Sequence, residues 1–104
     1  DDPVAMPMIA IGAVGVISVV GNALPAEMSE MIRLSLQGDF KKALSLHLSL
    51  IEFTRLIFTE GNPAGVKAAL KHLGICGDGV RLPLVAASEL LTTKIAEQIK
   101  HIQS

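Results

Sequence analysis

The chain has 104 residues and a net charge of −1. Half of its residues are hydrophobic, and its mean hydropathy is +0.51. This length allows one small domain, and a domain of that size has too much surface to bury so apolar a sequence fully. We therefore expect part of the apolar surface to be covered by something outside the chain. Acidic and basic residues are mixed, without the basic stripe typical of nucleic-acid binding, so no nucleic-acid partner is expected.

An uncharged stretch at residues 3–26 is long enough to span a membrane. Its three prolines and three glycines, however, divide it into a short helix, a turn, a strand and a loop, which favours a chain that does not enter the membrane. A secretory signal would need basic residues where this chain has Asp1 and Asp2. The single cysteine, Cys76, excludes an internal disulfide and suits a reducing compartment. The cytoplasm is the expected location.

Helical spacing and breaker residues predict helices over residues 3–11, 25–37, 40–58, 64–73 and 88–102. Asp39 is the expected N-cap of the helix at 40–58, and Ser88 or Thr92 that of the last helix. Met28 and Met31 share the apolar face of the second helix and are expected to fill the core.

The helix at 40–58 is apolar nearly all round. Leu44, Leu48, Ile51 and Leu56 approximate helical spacing, and further apolar residues lie on its other faces. A helix of this kind is buried or packed on several sides.

The segment Gly-Val-Ile-Ser-Val at residues 15–19 predicts a buried parallel strand, because it is β-branched and bounded by glycines. One strand cannot form a sheet, so its partners are expected in another chain or in a portion that precedes Asp1. The order helix, strand, helix, then further helices is typical of the end of a (β/α)₈ barrel. The predicted fold class is α/β: the last αβα part of a TIM barrel at residues 1–38, and a mostly helical C-terminal subdomain at 39–104. Residues 81–84 are expected to be extended.

Four motifs occur in a characteristic order: Asp1-Asp2; Gly-Val-Ile-Ser-Val at 15–19 with Asn22; Asn-Pro-x-x-x-Lys at 62–67; and Arg-Leu-Pro-Leu at 81–84. Together they resemble the dihydrodipicolinate synthase (4-hydroxy-tetrahydrodipicolinate synthase) family of pyruvate-dependent class I aldolases, which are lyases. The resemblance covers essentially the whole chain but only the C-terminal third or so of a family member.

The resemblance implies a reaction in which pyruvate condenses with aspartate semialdehyde, on the way to diaminopimelate and lysine. A barrel lysine forms the Schiff base with pyruvate, a tyrosine relays protons, and no cofactor is needed. Ile17 corresponds to the residue that contacts pyruvate near the barrel mouth, largely through its backbone. The resemblance also implies a homo-oligomer, commonly a tetramer, and an N-terminal barrel portion as the partner of these residues.

The chain itself lacks the groups for this reaction. All six lysines lie in predicted helices, none lies in the predicted strand, and there is no tyrosine. We therefore assign no catalytic residue here and expect the chain to be inactive alone. Ile17 is the one candidate for substrate binding, with plain strand core as the alternative.

Other polar residues have simpler interpretations. His47, His72 and His101 lack the spacing of metal ligands, so no metal site is predicted. Cys76 is expected to be a half-buried loop thiol, and Lys67 a helix-surface charge or the partner of a carboxylate. Asn22 could cap the loop after the strand or support the site.

One departure from the family pattern lies at Ala64-Gly65, where many members have Ile-Pro. Gly65 is expected to weaken the start of its helix by about 0.5–1 kcal/mol relative to a better helix former. The departure leaves a related pyruvate aldolase, such as N-acetylneuraminate lyase, as an alternative. Two other classes stay open: a non-catalytic helical interaction module, and a membrane-anchored peptide with a helical tail. The sequence does not say why the chain starts at Asp1, which oligomer forms, or whether these residues fold alone.

Overall fold

Helices make up the regular structure of this chain. The computed structural model describes residues 1–104. A 3₁₀ helix, Asp2–Val4, is followed by six α-helices: α1 Ala5–Ala10, α2 Val20–Ala23, α3 Pro25–Leu36, α4 Phe40–Phe58, α5 Ala64–His72 and α6 Glu89–Gln103. The chain divides into two compact units, Asp1–Ile51 and Glu52–Ser104. None of the helices is both long and apolar enough to cross a membrane.

The predicted helices are confirmed, with bounds that agree to within a residue or two at most ends. Both expected caps form. The Asp39 carboxylate accepts a hydrogen bond from the Lys42 N–H (3.2 Å), and the Ser88 hydroxyl accepts one from the Leu91 N–H (3.2 Å). Each cap pairs a backbone donor that the first turn of a helix leaves free. The first predicted helix is shorter than expected, because it starts as a 3₁₀ turn and α1 ends at Ala10.

Each unit has its own apolar core. In the first unit α1 and α2 pack on α3, and Met28 and Met31 are buried there as predicted. In the second unit α5 packs on α6, which buries Leu91, Ile95 and Ile99 along one side of α6. This burial supplies the main stabilisation of short helices that would be marginal alone.

The expected burial of the α4 stripe is wrong for part of its length. Leu44, Leu48 and Ile51 are exposed, whereas Phe53 and Ile57 are buried. Both faces of α4 are apolar, so spacing alone could not say which face this chain covers.

The predicted strand does not form. Residues 13–18 belong to no helix or strand, and no backbone hydrogen bond joins residues 14–17 to the rest of the chain. A strand exists through the ladder it shares with a neighbour, and this chain contains no second extended segment to pair with. Two further differences are local. The four-residue helix α2 follows where a loop was predicted, and residues 81–84 form a turn closed by the Leu84 N–H and the Arg81 carbonyl (3.0 Å).

Gly65 has the opposite role to the one predicted. A Cβ at this position would lie 2.0 Å from the Ile57 carbonyl oxygen, well inside van der Waals contact. The absence of a side chain is what lets the start of α5 approach the backbone of α4. The glycine therefore permits this packing, and the better helix former with which it was compared would not fit here.

A short link, the Glu60–Ser88 clasp, joins the end of α4 to the start of α6. The Glu60 carboxylate accepts hydrogen bonds from the Ser88 N–H (2.7 Å) and the Ser88 hydroxyl (2.5 Å). These bonds hold the pKa of Glu60 below its ordinary value, the hydroxyl bond contributing most. Because Ser88 also caps α6, one hydroxyl fixes both the loop and the helix.

The clasp predicts a pH dependence of stability. A carboxylate whose folded-state pKa is depressed stabilises the fold above its unfolded pKa, and this contribution is lost as the pH falls through the folded pKa. We expect the free energy of unfolding to fall as the pH drops from the unfolded pKa of Glu60 through its lower folded pKa. The Glu60→Gln variant should lose part of this pH dependence. Chemical unfolding at a series of pH values measures both. Glu97→Gln, at an exposed carboxylate on α6, is the control. An unchanged pH profile in Glu60→Gln would contradict the prediction.

Candidate functional site

The segment at residues 13–18, which connects α1 to α2, carries the sequence-predicted site residue. Its start is fixed by α1: the Ala13 N–H donates to the Met8 carbonyl (2.9 Å), and the Gly12 N–H to the Ile9 carbonyl (3.1 Å). Gly12 has φ +117°, a conformation that L side chains rarely adopt, so a glycine suits the turn that leaves the helix.

Asp2 fixes the other end of the segment. Its side chain is only 5% exposed, and its carboxylate accepts hydrogen bonds from the Ser18 hydroxyl, the Val19 N–H (3.0 Å) and the Val20 N–H (3.4 Å). The Ser18 hydroxyl oxygen in turn accepts from the Gly21 N–H (2.8 Å). A buried carboxylate is tolerated when such donors surround it, and a helix start supplies them. We call Asp2, Ser18 and these backbone groups the Asp2 network.

Asn22 supports the same turn. Its side-chain amide donates to the Ser18 carbonyl (3.3 Å) and the Val19 carbonyl (3.2 Å). Of its two predicted roles, the structure gives it the capping of the turn that follows the segment.

Two hollows border the segment, and Gly15 and Val16 line both. One measures about 290 Å³ and is also lined by Asp1, Met8 and Ile17. The other, about 500 Å³, is also lined by α3. Ile17 is fully exposed, whereas Val16 is half-buried. The segment therefore presents unpaired backbone groups and small or apolar side chains to the two hollows.

The charged groups at these hollows are few. Asp1 lines the smaller one and Arg33 the larger one. Arg33 is already paired, since its guanidinium donates to the Glu30 carboxylate (2.5 and 2.9 Å), and this hydrogen bonding raises the pKa of Arg33. No lysine lines either hollow, so neither offers a lysine amine to attack a small molecule.

The lysines lie elsewhere, as the sequence predicted. All six are in α4, α5 and α6, and all are exposed except Lys67, which is half-buried. Lys71 donates to Asp78 (3.1 Å), and this bond is the main reason that the pKa of Asp78 is lowered. These lysines act as surface charges.

The remaining candidates have no shared site. No group of three His, Cys, Asp or Glu side chains is placed to hold a metal ion. Cys76 is exposed, not half-buried as expected. Sequence reasoning missed the Asp2 network, because its partners are 16 to 18 residues apart and the two motifs that contain Asp2 and Ser18 gave no sign that they contact each other.

Known proteins match nearly the whole chain. The model of the dihydrodipicolinate synthetase family matches residues 1–102. The chain is 55% identical over 85 residues to 4-hydroxy-tetrahydrodipicolinate synthase of Phocaeicola vulgatus, covering 82% of this chain and 29% of that protein. It is 44% identical over 102 residues to the synthase of the same name from Parabacteroides distasonis, covering 98% of this chain and 34% of that protein.

Solved structures give the same result. Dihydrodipicolinate synthase from Aquifex aeolicus superposes with a TM-score of 0.92 at 42% identity, over 99% of this chain and 35% of that one. The enzyme from Thermotoga maritima gives a TM-score of 0.95 at 34% identity, with coverage of 99% and 35%. The likeness confirms the predicted fold class, the last part of a TIM barrel with a helical subdomain. The chain spans about a third of the length of these relatives.

Proposed function

Because this chain belongs to the dihydrodipicolinate synthetase family, we propose that it forms the C-terminal part of a 4-hydroxy-tetrahydrodipicolinate synthase. The complete enzyme would condense pyruvate with aspartate semialdehyde through a lysine Schiff base, in the biosynthesis of diaminopimelate and lysine. The observation that carries this proposal is the match to synthases at 44% identity over 98% of the chain and at 55% identity over 82% of it.

In this proposal Ile17 is the substrate-binding residue of the chain. It lies among residues 14–17, which make no backbone hydrogen bond to the rest of the chain, and beside a hollow of about 290 Å³, which leaves its backbone free to meet pyruvate. Residues 1–38 would close the barrel and residues 39–104 would form the appended subdomain. The Schiff-base lysine and the proton-relaying tyrosine would come from the N-terminal barrel portion. The absence of tyrosine here and the position of every lysine on α4, α5 or α6 support this division.

The surroundings of the segment support a larger assembly. The side chains of Val14 and Ile17 are exposed, as are Leu44, Leu48 and Ile51 on α4. Exposed apolar side chains in such number are typical of surfaces that another part of a protein covers. We propose that the N-terminal barrel portion covers them. The complete protein would be a homo-oligomer, a tetramer, and would work in the cytoplasm.

Trapping with borohydride tests the proposed function. Borohydride reduces a protein–pyruvate Schiff base to a stable adduct, which intact-mass measurement detects. We expect the full-length protein to gain one pyruvate-derived mass per chain, and residues 1–104 alone to gain none. The site of the adduct, located by peptide mapping, should lie outside these residues.

The substrate that the full-length protein turns over is the second part of the test. Turnover of pyruvate with aspartate semialdehyde is the expected result. An adduct combined with cleavage of N-acetylneuraminate would assign the chain to the related lyase. No adduct on the full-length protein would overturn the proposal.

A further inference from the structure

We propose that Asp2 is a positioning residue of the pyruvate site: through Ser18 and the start of α2 it holds the backbone of Ile17 in place. This inference rests on the proposed function, since it assumes that Ile17 meets pyruvate. Asp2 itself would touch neither substrate nor product.

The first step of the argument is how the segment at residues 13–18 is held. Its four central residues, 14–17, make no backbone hydrogen bond within this chain. The hydrogen bonds that this chain itself supplies to the segment therefore lie at its two ends. The N-terminal end is held by α1, and the C-terminal end is held by the Asp2 network.

The second step is the closeness of the network to Ile17. Ser18 is the next residue along the chain, and its hydroxyl donates to Asp2 while accepting from the Gly21 N–H (2.8 Å). The Val19 N–H adds a second bond to the same carboxylate (3.0 Å). Two successive residues after Ile17 are thus tied to one buried side chain, and a shift of that side chain moves the Ile17 carbonyl and amide directly.

The third step is that an asparagine does not reproduce this carboxylate. An acceptor of three hydrogen bonds must present two oxygens, and an aspartate does so whereas an asparagine presents one oxygen and two donors. In Asp2→Asn the negative charge is lost, and the one amide oxygen cannot accept from both the Ser18 hydroxyl and the backbone N–H groups, so at least one of these hydrogen bonds is lost or reversed in direction. Displacement of a reacting group by a fraction of an ångström is enough to lower a rate severalfold or more.

The test compares the full-length wild type with Asp2→Asn, Ser18→Ala and the double variant. We expect Asp2→Asn to lower kcat/KM for pyruvate about tenfold, the effect of losing a hydrogen bond to a charged group, while kcat/KM for aspartate semialdehyde changes less than about twofold. Ser18→Ala should act in the same direction and keeps the test informative if Asp2→Asn does not fold. The kcat/KM of the double variant for pyruvate should be only slightly lower than that of Asp2→Asn, because the two side chains act as one unit.

Asp39→Asn is the matched control. Asp39 is also a carboxylate that accepts from a backbone N–H at a helix start, but it caps α4 and lies outside the segment. Both specificity constants should stay at the wild-type value in this variant. A purely structural role for Asp2 would reduce the amount of folded enzyme, and both constants would then fall by the same factor.

The outcomes separate the two proposals. A wild type that forms a borohydride adduct, together with an Asp2→Asn variant that keeps its kcat/KM for pyruvate or loses both constants equally, would overturn the positioning role alone. A wild type without an adduct would overturn the proposed function and this inference with it.

Discussion

Replacing Gly65 with alanine is expected to destabilise the folded protein by about 3 kcal/mol or more. The new Cβ would lie 2.0 Å from the Ile57 carbonyl oxygen and 2.5 Å from its carbonyl carbon. Because both atoms belong to the backbone of α4, no side-chain rotation can relieve the contact, and α5 must move away. Urea unfolding of the full-length protein measures the effect.

Gly79→Ala is the control for this change. A Cβ at Gly79 would meet no atom within 4 Å, and its φ is not positive. The free energy of unfolding should therefore stay within about 0.5 kcal/mol of the wild type. If Gly65→Ala behaved like this control, the close approach between the start of α5 and Ile57 would be wrong.

Truncation of Phe53 to alanine should cost about 3–5 kcal/mol of stability. Phe53 is 0% exposed, so its removal leaves a cavity in addition to losing the transfer free energy of the ring. Phe58, on the same helix, is 40% exposed, and Phe58→Ala should cost about 1 kcal/mol or less. Chemical unfolding of both variants compares the two costs, and equal values would contradict the assignment of Phe53 to the core.

The sequence predicted the helices well because their signals are local. Asp39 and Gly38 mark the boundary between α3 and α4, and Ser88 marks the start of α6, all through contacts within one turn. The order of the predicted elements indicated the fold class, and the family resemblance agreed with it. The comparisons then confirmed it over the whole chain.

Features that depend on distant residues could not be predicted. The sequence did indicate that the strand at 15–19 has no neighbour in this chain, but it did not reveal the Asp2 network, which joins residues 16 to 18 positions apart. Gly65 shows the same limit most clearly. Helix propensity predicted a less stable helix start at Gly65. The close approach of the Ile57 backbone, however, requires a residue without a side chain at this position.

The candidate site was only partly accessible from sequence. Ile17 was identified through the resemblance; its side chain is fully exposed, so it is not part of a strand core in this chain, and its role in substrate binding stays a prediction. The Asp2 network left no periodic or spacing signal in the sequence. An acidic pair near a helix start also has a simpler interpretation, in which its charge interacts favourably with the helix dipole.

The Glu60–Ser88 clasp also bears on how the loop between α5 and α6 can change. The first turn of α6 is fixed by Glu60, a residue that precedes α5, and not by the loop that leads into it. The entropy of closing a flexible loop grows only slowly with its length, about 0.6 kcal/mol for each doubling. Insertions or deletions in residues 75–86 would therefore leave α6 in register. We expect this stretch to accept insertions with little loss of stability.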